Sequence, residues 1–424
     1  MKRFHISSHR IFIIAALVLT ISVFLGCGDD DEGGTAQLTA TITSPSNDSS
    51  FLAGYDAAFT GTAADIDEGP LTGASLVWRS DRDGEFGTGA SVTTDILSIG
   101  HHTVILTATN SNGAESHDSV HVVIKSAYPD KVRYTYHLDE LTRGITVDPR
   151  GDVVYVMYDD DSVRILQTSD TSIREQLIVG DGSYSGAATP NGFFLYVTNR
   201  YDNTVSVINT VSKEVIDTIP VGQSPHGIVV TPDDRYVYVA NADDGTLSVI
   251  SRLTNGVVNT IPIGFGPYGI ATVPDGRSYL YAVNSFDNTV SVVRMATNTV
   301  TATIPVGDRP FYIAVTNDGN FAYITNFEGN TVTVLSTHTN EVTATIPVGA
   351  GPIHIAATPD GNYIYVTNFD SDTVSVIEIA GNNVIDTIPV GDGPSDIAVS
   401  PDGEYVYVAN TFDRSVSLIG RSEE

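Results

Sequence analysis

Three side chains capable of hydrogen bonding and proton transfer stand at equal distances in the second half of the chain. Tyr312, His354 and Asp396 follow one another at intervals of 42 residues. Arg143 and His226 lie one position earlier in their own copies of the same sequence pattern. Equal spacing predicts that a repeated unit brings the first three side chains around one centre, with the other two nearby, where they form a polar crescent able to hold a small ligand. The alternative is a rim that simply tolerates variation.

The motifs of common catalytic sites are missing from this sequence. It has no Gly-x-Ser-x-Gly, no phosphate-binding loop and no His-Glu-x-x-His. A protein metal site usually needs three or more ligands, and His354 and Asp396 supply two. The sole tryptophan, Trp78, lies outside the repeats, which argues against a stacked quinone. We therefore predict no catalytic residue, no metal and no cofactor from local motifs.

The unit that positions these residues is a repeat of about 42 residues. The phrase Thr-Ile-Pro-(Val/Ile)-Gly begins at five positions with spacings of 42, 43, 42 and 42 residues. A Tyr-rich run ending in Asn occurs six times. The phrase begins at Thr218, Thr260, Thr303, Thr345 and Thr387, and the run ends at Asn199, Asn241, Asn284, Asn326, Asn368 and Asn410.

Each unit contains four short runs rich in Val, Ile, Thr and Tyr, separated by turn residues. In one copy the runs are 227–231, 236–240, 246–251 and 257–263. These residue types favour β-strands, and none of the runs has a helical period. Four antiparallel strands in a repeat of this length are typical of one blade of a β-propeller.

The number of turns that follow a first strand predicts seven units, and the ends of the chain predict that they close into a ring. The last unit has only three strands before the chain ends, and residues 132–138 match the missing outer strand. An N-terminal strand that completes the last blade would remove an open sheet edge. The seven turns begin at Pro149, Pro190, Pro232, Pro274, Asn317, Pro359 and Pro401.

At these residues the chain resembles the YVTN family of β-propeller repeat proteins. The tetrapeptide Tyr-Val-Thr-Asn stands at 196–199 and 365–368, and the resemblance covers residues 130–420. It implies a propeller and an extracytoplasmic setting, and members mostly have no assigned activity. Some relatives of similar shape are lactonases or quinoprotein-like enzymes, and a lactonase has its ligands spread over separate blades, which leaves no local motif. An enzyme acting at the channel mouth is therefore the alternative to a binding protein.

Residues 1–27 have the pattern of a bacterial lipoprotein signal peptide. A basic start precedes an apolar core of 15 residues, which is too short to span a bilayer as a helix, and Cys27 follows it. Cys27 is the only cysteine, so we expect it to carry lipid rather than a disulfide. Residues 28–37 then form an acidic, Gly-rich tether. We expect an envelope protein of the outer membrane, either periplasmic or surface-exposed. Mass spectrometry of the mature N-terminus tests this expectation.

Residues 38–126 predict a second all-β domain, a β-sandwich. Short strands near 40–44, 57–63, 75–79, 91–97, 103–110 and 119–125 alternate with turns, and Trp78 is the expected core residue. The segment resembles bacterial immunoglobulin-like and PKD-type domains, which commonly act as spacers or adhesive units. Asp65 and Asp67, with Glu68, are either a solvated turn or a calcium site.

Net charge narrows the possible partners. Fifty-one acidic and 21 basic residues give a formal charge of -30, which opposes binding to nucleic acid phosphates. The leading hypothesis is a lipid-anchored extracytoplasmic protein. Its propeller would present a platform to a protein, a glycan or a small molecule.

Overall fold

The computed structural model describes residues 38–168, 172–274 and 278–422, and these residues are almost entirely β-structure. They form 37 strands and one turn of 3-10 helix, Gly73–Ser75. Within these ranges no helix is long and apolar enough to cross a bilayer. The predicted all-β fold is confirmed.

The first nine strands make two sheets. One contains β1, β3, β4 and β7, and the other runs in the order β2, β9, β8, β5, β6. The strands are β1 (Thr39–Ser44), β2 (Ser49–Leu52), β3 (Ala57–Asp65), β4 (Gly69–Pro70), β5 (Leu76–Ser80), β6 (Gly84–Thr88), β7 (Ser91–Thr94), β8 (Gly100–Thr109) and β9 (Glu115–Lys125).

An aromatic cluster fills the space between these two sheets. Trp78 and Phe59 are completely buried, and their ring centroids are 5.8 Å apart. Trp78 Nε1 donates to the Gly89 carbonyl at 2.8 Å, so its burial leaves no unpaired donor. The predicted core residue is therefore confirmed. The sequence analysis missed β2, β4 and β6, because β2 and β4 are only 4 and 2 residues long and β6 is rich in Gly.

Within the described residues, β10 to β37 make seven four-stranded antiparallel sheets. The first strands of successive sheets contact each other in a closed circuit, β11, β15, β19, β23, β27, β31, β35 and back to β11. The strands are β10 (Lys131–His137), β11 (Thr142–Val147), β12 (Val153–Tyr158), β13 (Ser162–Gln167), β14 (Ile173–Ile178), β15 (Ser183–Ala188), β16 (Phe194–Asn199), β17 (Thr204–Asn209), β18 (Glu214–Pro220), β19 (Pro225–Val230), β20 (Tyr236–Asn241), β21 (Thr246–Ser251), β22 (Gly256–Pro262), β23 (Pro267–Thr272), β24 (Tyr279–Asn284), β25 (Thr289–Arg294), β26 (Thr299–Pro305), β27 (Pro310–Val315), β28 (Phe321–Asn326), β29 (Thr331–Ser336), β30 (Glu341–Pro347), β31 (Pro352–Ala357), β32 (Tyr363–Asn368), β33 (Thr373–Glu378), β34 (Asn383–Pro389), β35 (Pro394–Val399), β36 (Tyr405–Asn410) and β37 (Ser415–Gly420).

The N-terminal strand of the ring joins its last sheet. Strand β10 pairs antiparallel with β37, with Val132 opposite Ile419 and His137 opposite Ser415. The segment before β10 is held as well, since Tyr365 Oη donates to the Pro129 carbonyl at 2.7 Å. Both edges of β37 are therefore paired, as the sequence predicted for residues 132–138.

The repeated tyrosine of the second strand connects neighbouring sheets. Its hydroxyl donates to an asparagine side chain in the next sheet, in the turn between the third and fourth strands. Each such bond contributes about 1 kcal/mol. The pairs are Tyr196 with Asn255 at 2.9 Å, Tyr238 with Asn298 at 2.9 Å, Tyr281 with Asn340 at 2.8 Å and Tyr323 with Asn382 at 2.7 Å.

The repeated asparagine that ends the second strand ties a hairpin and packs against the glycine that ends the preceding Thr-Ile-Pro-(Val/Ile)-Gly phrase. Asn241 Nδ2 donates to the hydroxyls of Thr246 and Ser248, both at 3.0 Å. A Cβ on Gly222 would lie 2.6 Å from Asn241 Cγ, so a larger residue would displace the asparagine. The glycine of the Thr-Ile-Pro-(Val/Ile)-Gly phrase and the asparagine of the Tyr-rich run are thus partners in a single contact.

The N-terminal strand should be a stabilising part of the ring. Tyr136 is 7% exposed and packs against the last sheet, whereas Tyr134 is 55% exposed on the same strand. We expect Tyr136→Ala to lower the free energy of unfolding by about 3 kcal/mol, because it leaves a cavity. Tyr134→Ala should cost about 1 kcal/mol or less. Denaturant unfolding checks both values, and equal losses would contradict the role of β10.

Candidate functional site

The predicted site residues lie where the first strand of each sheet begins. A register shift interrupts the pairing there, between Pro310 and Ile313 in β27 and between Pro352 and Ile355 in β31. The bulge leaves backbone N–H groups without ladder partners and changes the direction of the side chains. The start of each inner strand is thus free to carry a residue that differs from sheet to sheet.

The threonine of the tetrapeptide supports these bulges. The backbone N–H of Tyr312 donates to Thr325 Oγ1 at 3.0 Å, and that hydroxyl donates to the Ile353 carbonyl of the next sheet at 2.6 Å. The N–H of His354 likewise donates to Thr367 Oγ1 at 2.9 Å. A buried hydroxyl therefore fixes the backbone at Tyr312 and His354, whereas Asp396 lies opposite Ala409 and accepts from the Ile397 N–H with its own Oδ1 at 2.7 Å.

The structure brings Tyr312, His354 and Asp396 into contact. The Tyr312 and His354 ring centroids are 4.0 Å apart, and His354 Nε2 lies 3.0 Å from Asp396 Oδ1. Asp396 Oδ2 accepts from the Ile145 N–H at 2.9 Å, so the carboxylate also connects the last sheet to the first. His354 Nδ1 is buried and has no hydrogen-bond partner within the described residues.

A fourth residue, Tyr184, reaches this group from across the ring. It packs against the cluster that contains Tyr312, although β15 and β27 are separated by two other inner strands. Desolvation raises the pKa of Tyr184 to about 12, and nearby Tyr268 adds to the shift. Desolvation also raises the pKa of Tyr312 well above its ordinary value, with contributions from Tyr184 and Asp396. Both phenols therefore stay protonated and act as neutral hydrogen-bonding groups.

On the side of the ring opposite the crescent, the equivalent inner-strand positions carry small residues because the packing leaves no room for a side chain. A Cβ on Gly227 would lie 2.2 Å from the Tyr268 carbonyl oxygen, and one on Gly144 would lie 2.2 Å from the Tyr184 carbonyl oxygen. Neighbouring inner strands approach each other closely there. The asymmetry between small and large polar residues is thus built into the contacts between the sheets.

The other two predicted residues lie beside the crescent rather than in it. Arg143 forms two hydrogen bonds with Asp159, at 2.9 and 3.0 Å. His226 is 1% exposed and stands between two rings, with centroid distances of 4.7 Å to Tyr184 and 4.4 Å to Tyr268. Burial lowers the pKa of His226 to about 4. His226 is therefore a neutral member of an aromatic cluster.

Aromatic rings continue outward from His226 over the same end of the ring. Tyr268 contacts Phe311 at 5.0 Å and Phe286 at 6.4 Å between centroids. Phe286 contacts Phe265 at 5.7 Å, and both are more than half exposed. We call this end of the ring, formed by the links into the inner strands and the turns after the repeated Asn, the mouth face. The sequence analysis did not predict these connected rings, because they come from different turns.

The remaining predicted residues divide into two groups. Cys27 and the tether lie outside the described residues. Asp65 is buried, and its carboxylate accepts from the N–H groups of Asp67 and Glu68 and from Asn110 Nδ2. Its oxygens thus organise a turn. Across the described ranges, no group of three or more His, Cys, Asp or Glu side chains is arranged to hold a metal ion.

A closed circuit of four-stranded sheets, with side chains converging on its axis, defines a β-propeller. A family model for YNCE-like β-propellers matches residues 182–283. A family model for seven-bladed β-propeller lactonases matches residues 251–384 and 337–424. No curated protein matches the sequence.

A solved structure supports the same fold. Hydrazine synthase of Kuenenia stuttgartiensis superposes with a TM-score of 0.62 at 23% identity. The match covers 69% of this chain and 99% of that chain. At this level of identity the likeness concerns the fold alone, and it confirms the predicted β-propeller.

The buried His226 should make stability depend on pH. Its pKa falls from 6.5 in the unfolded chain to about 4 in the folded protein, so the unfolded state binds more protons between these values. Stability is then lost as the pH falls through this window, by roughly 3 kcal/mol for this group. His226→Phe, which retains the ring contacts, should remove that component. Denaturant unfolding of both proteins at several pH values measures it, and identical pH profiles would contradict the assignment.

Proposed function

We propose that the chain is an extracytoplasmic binding protein whose propeller holds its ligand at the mouth face. The observation that supports this most strongly is the contact of Tyr312, His354 and Asp396, which break the repeat at one equivalent position. Repeated residues in this ring have structural partners in sheet after sheet. These three instead form one polar group beside a continuous aromatic cluster, a combination typical of ligand sites.

We further propose a finer description of the whole chain. The seven sheets are the blades of a seven-bladed YVTN-type propeller, and residues 38–126 are an immunoglobulin-like or PKD-type module. Cys27 carries lipid that anchors the protein to the bacterial envelope, at the outer membrane. The two β-domains would then hold the mouth face away from the bilayer.

A second candidate function is hydrolysis at the same group. The family model for lactonases matches residues that include His354 and Asp396, and the two side chains form a 3.0 Å contact. In this contact the Asp396 carboxylate orients the His354 imidazole, whose second nitrogen has no hydrogen-bond partner within the described residues. Such an arrangement can serve general-base catalysis. A lactone is the substrate class that the matched family's description names.

A combined substitution tests the binding function. A thermal-shift screen with sugars, lactones, Ca²⁺ and Zn²⁺ identifies compounds that raise the melting temperature. For such a compound, the triple variant Tyr312→Phe, His354→Gln, Asp396→Asn should bind at least about tenfold more weakly, because three polar contacts are removed.

His338→Gln is the matched control, because His338 is exposed in a turn at the opposite end of the ring. It should bind like the unmodified protein. Retained affinity in the triple variant would overturn the proposed site. Lactone turnover that falls by about a hundredfold or more in His354→Gln would favour the hydrolase instead.

A further inference from the structure

We propose that the mouth face binds a cationic polypeptide segment, whose Arg or Lys side chains stack on its exposed aromatic rings beside carboxylates. This inference rests on the proposed binding function and names the chemistry of the partner. Phe286 and Phe412 are the central residues, at 55% and 58% exposed.

Each of these rings is followed directly by an exposed aspartate. Asp287 follows Phe286, and Asp413 follows Phe412. The aspartates are held in place, since Asp287 Oδ2 accepts from the Phe265 N–H at 2.7 Å and Asp413 Oδ2 accepts from the Asp392 N–H at 2.9 Å. An aromatic face beside a fixed carboxylate is the environment that attracts a guanidinium or ammonium group.

The protein contains an internal example of this arrangement. Arg309 lies over Phe311 and Phe327, at 5.5 Å from each centroid, and pairs with Glu328 at 3.0 Å. The turn that supplies Phe327 and Glu328 corresponds to the turns that supply Phe286 with Asp287 and Phe412 with Asp413, and its ring and carboxylate stand one position earlier in the turn. One sheet thus already holds a guanidinium against its ring and carboxylate.

The backbone at Arg309 has a conformation that suits glycine. Arg309 has a φ of 51°, in the left-handed region, and Gly266 and Gly393 occupy the equivalent positions with a φ of 65°, whereas Ser224 stands at another such position with a φ of 55°. A Cβ on Gly393 would lie 2.6 Å from the Phe412 ring. Within the described residues, no Arg or Lys lies over Phe286 or Phe412. These two rings therefore offer the same kinds of group, an exposed aromatic face beside a carboxylate, without a cation from the described residues over them.

The surrounding charge adds to the attraction. Every turn after a second strand of the ring carries at least one Asp or Glu, and the chain as a whole has a net charge of -30. Near Phe412 the pKa of Asp392 is raised, by desolvation and then by repulsion from Asp372 and Asp413. A bound cation would relieve this repulsion. Clustered negative potential also favours association with a basic segment.

The test uses a dye-labelled peptide of alternating arginine and serine, with a citrulline and serine peptide as the neutral probe. Fluorescence anisotropy with the full mature protein should show binding of the arginine peptide alone. The double variant Phe286→Ala, Phe412→Ala should weaken binding about tenfold, because two stacking surfaces are lost. Arg309→Gly should strengthen it about threefold, because it vacates a third ring at a position where glycine suits the backbone.

Phe193→Ala is the matched control, since Phe193 is 50% exposed at the opposite end of β16 from the mouth face. It should change affinity less than about twofold. Equal binding of the citrulline peptide, equal losses in Phe193→Ala and the double variant, or binding of a neutral oligosaccharide to these rings in place of the peptide would each overturn the inference.

The triple variant of Tyr312, His354 and Asp396 separates this inference from the proposed function. If a small ligand is lost in the triple variant but the arginine peptide never binds, only the cationic partner is wrong. If the peptide binds through Phe286 and Phe412 but the triple variant binds every small compound as well as the unmodified protein does, the proposed small-ligand site is wrong and the cationic partner is supported.

Discussion

The contact between neighbouring sheets is the constraint on which the rest of the structure depends. A four-stranded sheet of about 24 residues buries too little apolar surface to be stable alone, so each sheet must pack on two others. Hydrogen bonds such as that from Tyr196 to Asn255 fix the angle between one sheet and the next. The fit of Gly222 against Asn241 fixes where the chain crosses between them. Because both contacts recur from sheet to sheet, both phrases recur in the sequence.

This constraint also determines where the chain is free to vary. The bulge at the start of each inner strand lies outside the ladder and away from the contact between tyrosine and asparagine. Its backbone is supported by a threonine hydroxyl at Tyr312 and His354, and by the carboxylate of Asp396 itself at the third site residue. Tyr312, His354 and Asp396 could therefore diverge from the small residues at equivalent positions without disturbing the sheets. Arg309 shows the same freedom one position before the inner strand, at some cost in backbone conformation.

Much of this architecture could be predicted because repetition exposes it. The strand runs, the turns and the closing strand 132–138 all follow from period and residue type, and so does the approach of Tyr312, His354 and Asp396. The sequence could not show that Tyr184 reaches them across the ring, because that contact depends on the ring's diameter. It also could not show that His226 is enclosed between Tyr184 and Tyr268. The strands β2, β4 and β6 were missed because short or Gly-rich segments pair only where tertiary contacts hold them.

We conclude that Tyr312, His354 and Asp396, together with the exposed rings and carboxylates of the turns at the mouth face, form the binding surface, whereas the repeated tyrosine and asparagine hold the ring together. Hydrogen–deuterium exchange of the full mature protein, with and without the arginine peptide, tests it most directly. We expect the backbone amides to exchange more slowly on binding in the turns at 285–288 and 411–414 and at the starts of the inner strands, at 311–312 and 353–354. Slower exchange confined to the turns at the other end of the ring, such as 189–193 and 231–235, would contradict it.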